Sequence, residues 1–438
     1  MTAGTPTEAV SATGPQTTLD EIARLASMSE QIIRSLRDAT VDEDEAGHAP
    51  QARRYTPTEV AQMVGRSVDG IRKAERGGRL EGPALRENGR RERYTLAQIN
   101  AMRDLWELRP GRGDDYGAVR LAFQNFKGGV AKSTLSCHCA QYLARAGYRV
   151  LLVDCDSQAS TTMTFGYRPD TDLEDTDTLL PFLEGDRDDI AYAVRPTHWD
   201  GLDLVPANLE LYAAEYYLAS HGGNAGIGRL ERGIASVAHA YDVVVIDPPP
   251  ALGMISLSVL RALDGIVVPT APKLYDFSST ASFLRMLEEV LDSIEQSTGR
   301  KVELDFTKIV LARHDPGRQA QEFVSTLMSE AFGPSLLRAT LMQSAEIDNA
   351  ASRWSTVYDL PGASSSRGTY KRCIESLDGV FAEVESLVQG VWQSRAGARA
   401  LSNAAPARAP APAAARAAAD AAASFVAAAR RAEPAVHL

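Results

Sequence analysis

Apolar positions along this chain follow two rhythms, and the change between them marks its organisation. From Leu19 to Leu36, the residues Leu19, Ile22, Leu25, Ile32, Ile33 and Leu36 recur at helical spacing. Asp20 and Glu21 stand at the start, with Arg34 and Arg37 near the end, as a helix dipole favours. We expect a helix over 17–41 whose stripe is covered by a partner subunit or, as the alternative, by its own domain. Further on, Thr56-Pro57-Thr58-Glu59 supplies an N-cap, a proline at the first turn and a capping-box glutamate. That helix runs through Val60 and Val64 to a turn at Gly65, and Ser67 caps a second one, Val68 to Arg76. Asn88-Gly89 reads as a hairpin turn inside Leu80 to Tyr94, and Thr95 opens a third helix through Ile99, Met102 and Leu105. Past residue 117 the rhythm becomes strand and helix in alternation, with strands expected at Val119–Gln124, Val150–Asp154, Leu202–Pro206, Val243–Asp247, Gly265–Thr270 and Lys308–Ala312. This is the pattern of an α/β fold with a doubly wound, mostly parallel sheet.

Composition refines the boundaries. Residues 1–16 are Thr/Ala/Gly-rich and 395–438 Ala/Pro/Arg-rich, both expected to be disordered; 42–52 reads as an acidic linker and 109–117 as a hinge. The remaining pieces are a small domain at 53–108 and a large one at 118–394. The chain carries a net charge of −11, yet residues 51–93 hold eleven Arg/Lys against six Asp/Glu, a local excess of five positive charges. One basic segment in an acidic protein points to a localised contact with DNA. A second helix that follows a tight turn and presents Asp69, Arg72, Lys73 and Arg76 outward fits a helix-turn-helix, and the basic hairpin resembles the wing of a MerR-like module. Arg66, Arg72, Lys73, Arg76, Arg90 and Arg91 are its candidate DNA contacts, the alternative being a solvated basic face. Four cysteines without a C-x-x-C pair argue for a reducing compartment and against zinc or a disulfide framework. No apolar run approaches a membrane span and residues 1–16 lack a signal-peptide core, so a cytoplasmic location is expected.

The candidate chemistry centres on Phe123-Gln-Asn-Phe-Lys-Gly-Gly-Val-Ala-Lys-Ser-Thr134. A strand leads into two glycines, then Lys132 and two hydroxyls, then a helix from Leu135 to Ala146 stopped by Gly147. Glycines let backbone N–H groups turn toward a phosphate, and the helix offers its positive end. The generic phosphate-loop pattern wants glycine at positions 126 and 131, where this chain has Phe126 and Ala131. Leu151-Leu-Val-Asp154-Cys-Asp156 is a buried strand ending in two carboxylates on one side, at the edge where such sheets bind ligands. Val243-Val-Val-Ile-Asp247 ends in a single carboxylate, the arrangement that holds Mg2+ through water.

In this order and spacing, Lys127–Thr134, Asp154–Gln158 and Asp247–Pro249 resemble the ParA/MinD family of deviant Walker ATPases, P-loop NTPases whose loop carries the pattern K-G-G-x-x-K-[ST]. The segments ahead of the loop and after Tyr241 are most similar to the large ParA class bearing a helix-turn-helix, in particular the RepA partition proteins of repABC-type plasmids. The resemblance implies a slow ATPase that binds ATP or ADP with Mg2+ through Lys127, Gly128, Gly129, Val130, Ala131, Lys132, Ser133 and Thr134. It implies that Lys132 meets the phosphates, Ser133, Asp154 and Asp247 serve the metal, and Asp156 positions the attacking water. Lys127 would reach the nucleotide of a second subunit in a homodimer. The implied partners are a ParB-type centromere-binding protein, operator DNA through the helix-turn-helix, and nonspecific nucleoid DNA through basic residues such as Arg353, Arg367 and Lys371, with no membrane. Ser157 stands where the family usually has proline, and Ala131 where it has glycine. A nucleotide-sensing transcriptional regulator with little or no hydrolysis is the alternative reading.

Overall fold

The computed structural model describes residues 18–42, 53–111, 117–222 and 226–396. The expectations for 1–16, for most of the 42–52 linker, for 112–116 of the hinge and for the tail beyond 396 lie outside the described residues. Contacts divide the chain into two units, 1–49 and 50–438. The first contributes one 25-residue helix, α1 (Thr18–Asp42), longer than its apolar stripe. Ile22, Leu25, Met28, Ile32 and Ile33 on it are exposed, and Arg24 pairs with Glu21 at 2.6 Å.

The second unit is built on a seven-stranded sheet of order β3-β4-β2-β5-β1-β6-β7. Its strands are β1 (Val119–Phe123), β2 (Val150–Asp154), β3 (Arg195–Pro196), β4 (Leu202–Val205), β5 (Val243–Asp247), β6 (Gly265–Thr270) and β7 (Phe306–Leu311). All neighbours are parallel except β3 with β4. Every residue of β2 and β5 is buried, as a parallel sheet covered on both faces demands. One face packs on α5 (Lys132–Ala146) and on α14 (Arg367–Ala396) through Leu135, Leu143, Leu377, Phe381 and Val384. The other meets α9 (Arg229–Val237), α10 (Met254–Ala262) and α11 (Leu274–Thr298) through Leu230, Ile234, Val259, Leu260, Phe283 and Leu287. Because the chain runs from β1 outward to β2 and the edge strand β3, then back through β4 to β5 and on past β1 to β6 and β7, the strand order reverses between β1 and β5. That switch point is where an open α/β sheet leaves a crevice at its carboxyl edge.

Six of the seven strands lie where the apolar runs predict them. The seventh, β3, is an edge strand of two residues; it contains a proline that an interior strand would not tolerate, and it is too short to show a period.

The segment 53–111 folds as α2 (Pro57–Val64), α3 (Val68–Arg76) and α4 (Leu96–Leu105). Thr56 and Glu59 form the capping box of α2, Gly65 closes it at φ 62°, and Ser67 accepts from the Gly70 N–H to start α3. Between α3 and α4 the chain doubles back, with Leu85 bridged to Arg91 around Gly89 at φ 74°. Val60, Ile71, Tyr94, Ile99 and Met102 form a core continuous with Leu143, Tyr148 and Trp199 of the sheet body. Asn100 donates to Asp200 at 2.6 Å, Arg103 to the Arg145 carbonyl at 2.8 Å and Arg109 to the Gly147 carbonyl at 3.2 Å. Where a hinge is expected to begin, Arg109 is therefore clamped to the body.

Candidate phosphate and metal site

Three adjacent strands, β2, β5 and β1, deliver the three sequence motifs to one edge of the sheet. Asp154 and Asp247 end their strands side by side in register. The loop after β1 turns on residues with positive φ, Gly129 at 72° and Ala131 at 72°. A Cβ on Gly128 would meet nothing within 4 Å, so the loop is open there. Ala131 is the N-cap of α5 and offers no side-chain cap, which leaves the first N–H groups of a 15-residue helix available to an anion. Its αL backbone accounts for the glycine expected at this position, because a Cβ there costs roughly 1 kcal/mol.

Lys132 is buried, 7% exposed, and curls back so that its ammonium donates to the Lys127 carbonyl at 3.3 Å. Burial lowers its pKa, with Asp247 and Asp156 opposing that shift. The Asp247 carboxyl is fully buried and pushed up to about 6 by that burial, while hydrogen bonds from Thr161 and Ser133 hold it lower. Thr161 donates to it at 2.7 Å and Ser136 at 3.2 Å. Asp156 is half-buried and also raised by desolvation, with the Lys132 charge pulling the other way. A hydroxyl and a carboxylate facing each other beside an anion seat form a hard oxygen set of the kind Mg2+ uses together with phosphate oxygens and water. Among the described residues no three His, Cys, Asp or Glu side chains are grouped so that they could hold a metal by themselves.

Other expected residues stand differently. Asp154 is wholly buried; one oxygen accepts from the Asp156 N–H at 3.1 Å and the other from the Thr162 N–H at 2.9 Å and hydroxyl at 2.7 Å. Its oxygens fix the loop that carries Asp156 and the helix α6 (Ser160–Thr164). Lys127 makes an ion pair with Asp276 in the first turn of α11, a partner that sequence spacing does not reveal. Its own N–H is held by Asn125 at 3.0 Å. Arg313, just beyond β7, donates to the Gly129 carbonyl at 3.0 Å. The rule that sites gather at strand carboxyl ends could have drawn attention to it.

Among the candidate DNA contacts, Arg72, Lys73, Arg76 and Arg90 are exposed and make no ion pair among the described residues. Arg91 is paired with Glu75 at 2.8 Å, and the Arg66 guanidinium lies 5.6 Å over the Trp106 ring. Arg353, Arg367 and Lys371 are exposed around the corner between α13 (Ala345–Ala351) and α14, with Lys371 3.6 Å from Glu375. The loop ahead of α14 is tied to Glu346, which accepts from the Ser364 and Ser365 N–H groups at 2.9 and 2.8 Å. The four cysteines are buried and free. No described helix is long and apolar enough to cross a membrane.

Comparison with known proteins agrees with this geometry. A family model described as "AAA domain" matches residues 119–299. The chain is 33% identical over 377 residues to Protein SopA of Escherichia coli (strain K12), covering 83% of this chain and 96% of SopA. It is 32% identical over 356 residues to a protein named as a replication protein A in Sinorhizobium fredii (strain NBRC 101917 / NGR234), covering 78% of this chain and 87% of that one. A solved structure titled "Partition Protein" superposes with a TM-score of 0.61 at 20% identity, over 85% of this chain and 99% of its own, and shares the fold.

Proposed function

The chain belongs to the ParA family of partition ATPases, and from that premise we propose that it binds and hydrolyses ATP to switch its own pairing and its hold on DNA. The observation that carries the reading is the meeting of the Lys127–Thr134 loop, Asp156 and Asp247 at the switch point of the sheet. The loop N–H groups and Lys132 bind the phosphates, and Ser133 and Asp247 hold Mg2+, which when bound offsets the charge that develops on the transferred phosphoryl group. Asp154 keeps the Asp156 loop in place, and Asp156 orients the attacking water. Little else is needed, because phosphoryl transfer to water is mostly positioning and electrostatics.

Lys127 completes the site of a second copy, and it must leave Asp276 to do so. The 53–111 module acts as a winged helix-turn-helix that lays α3 on operator DNA, while Arg353, Arg367 and Lys371 serve nonspecific nucleoid DNA in the ATP-bound dimer. A ParB-type partner stimulates turnover, and the protein works in the cytoplasm on the nucleoid. The test is phosphate release with ATP, Mg2+, DNA and the partner. Wild type should turn over, while Asp156→Ala should bind ATP and release at least ~100-fold less phosphate. A wild type that binds ATP but stays inert with DNA and partner would move the reading to a nucleotide-sensing regulator. The αL Ala131 and the Lys127–Asp276 pair are the two features that favour that second reading.

A further inference from the structure

The phosphate loop is held from outside by a residue that no motif contains. Arg313 follows β7 and has φ 55°, an uncommon backbone for a residue with a long side chain. Its neighbours impose that conformation. The Ala312 N–H donates to the Thr270 carbonyl at 2.8 Å, the His314 N–H to the Leu341 carbonyl at 3.0 Å, and the Gln343 N–H to the His314 carbonyl at 2.8 Å. Held between β6 and the 341–343 segment, the backbone aims the guanidinium at the loop. Strain that its surroundings over-determine in this way is characteristic of functional positions.

The guanidinium makes two contacts. Nε donates to Gln343 Oε1 at 3.0 Å, and Nη1 donates to the Gly129 carbonyl at 3.0 Å. The Gly129 carbonyl and the Val130 N–H belong to one planar peptide unit and point in opposite directions. Fixing the carbonyl toward Arg313 therefore turns the Val130 N–H to the other side. Because Gly129 and Ala131 both adopt positive φ, successive N–H groups there can form the concave nest that binds anions. An isolated loop would sample other peptide orientations, and binding would have to select the right one.

We propose that Arg313 is a positioning residue of the phosphate loop: braced by Gln343, it sets the Gly129–Val130 peptide so that its N–H faces the phosphate. This rests on the reading that the loop binds a nucleotide. It assigns Arg313 no contact with the reacting atoms.

The test is ADP affinity of the full chain by calorimetry with Mg2+, for wild type, Arg313→Gln, Arg313→Lys, Gln343→Ala and the double variant Arg313→Gln/Gln343→Ala. Losing a charge-assisted bond that orders the loop should weaken ADP and ATP alike by about tenfold in Arg313→Gln. At saturating ATP, the turnover of that variant should stay within about twofold, as loss of uniform binding predicts. Gln343→Ala keeps every charge and should weaken ADP by about threefold, and the double variant should be no worse than Arg313→Gln, because the two residues act as one unit. The thermal midpoint without nucleotide should stay that of wild type, which separates positioning from general stability. Wild-type affinity in Arg313→Gln overturns the proposal. Unchanged affinity in Gln343→Ala, together with complete rescue by Arg313→Lys, overturns it in favour of simple charge attraction. A wild type that binds neither ADP nor ATP removes the nucleotide reading itself, a result distinct from both.

Discussion

Acid should destabilise this protein through one histidine beneath the phosphate loop. His138 lies one turn after Thr134 on α5 and is 4% exposed. Its Nε2 accepts from the Val357 N–H at 3.1 Å, so the ring proton sits on Nδ1 and is donated to the Thr134 carbonyl at 2.7 Å. Burial lowers its pKa from 6.5 to about 4, opposed by the Thr134 carbonyl and by the Asp359 charge. A second proton would also put an N–H against the Val357 N–H. The unfolded chain therefore takes up this proton before the folded one does. The stability is complete above pH 6.5 and is lost as pH falls toward 4. At ~1.4 kcal/mol per pH unit the whole effect is about 3 kcal/mol, of which roughly 2 is lost by pH 5. That is a sizeable part of the ~5–15 kcal/mol that holds a typical domain together. Urea unfolding at pH 7.5 and 5.0 reads it directly when wild type is compared with His138→Gln, which cannot titrate. Both lose what the carboxylates contribute, but wild type should lose about 2 kcal/mol more. Equal losses in the two proteins would refute the argument.

Other consequences are as direct. Asp276→Asn removes the charge that holds Lys127, so ATP-dependent dimerisation should strengthen severalfold by light scattering; a weaker or unchanged dimer counts against the idea that Lys127 must be released. Arg103 is 4% exposed and held by Asn100 and the Arg145 carbonyl, so Arg103→Met should leave two acceptors unpaired and cost about 1–3 kcal/mol in denaturant unfolding. If Arg72 touches a phosphate, Arg72→Ala should flatten the slope of log K against log salt by ~0.9; an unchanged slope removes it from the interface.

How much of this was legible in the chain depends on the separation of the residues involved. The loop, both carboxylate strands and the caps at Thr56, Ser67 and Thr95 are local patterns, and each falls where the spacing puts it. The partners of those groups are not local. Asp276 is 149 positions from Lys127, and Arg313 is 184 from Gly129. No period or motif links such pairs; only the strand order brings them together. Asp154 illustrates the other limit, because nothing in the sequence around a carboxylate at a strand end shows that its oxygens accept from Thr162 and the Asp156 N–H. Arg91 likewise counts as a free cation by composition and is paired with Glu75 in the fold.

The join between the small module and the sheet body bears on how a nucleotide can act. Helix α5 begins at the phosphate loop and, 15 residues or ~22 Å later, ends on carbonyls that take up two arginines of the module. Arg103 meets the Arg145 carbonyl and Arg109 meets the Gly147 carbonyl, at the negative end of the helix dipole. Burial lowers the Arg103 guanidinium to about 10, so the join accepts a desolvation cost that these carbonyls and Asn100 offset. The apolar core also runs unbroken from Ile99 and Met102 to Leu143 and Tyr148. Swinging α3 away from the loop within one chain would strip those residues and leave a buried cation without acceptors. A rearrangement of whole subunits leaves all of this intact. If α3 lies on operator DNA as proposed above, a nucleotide would then act through the distance and angle between two copies, the quantity that fixes half-site spacing for a dimer of this kind.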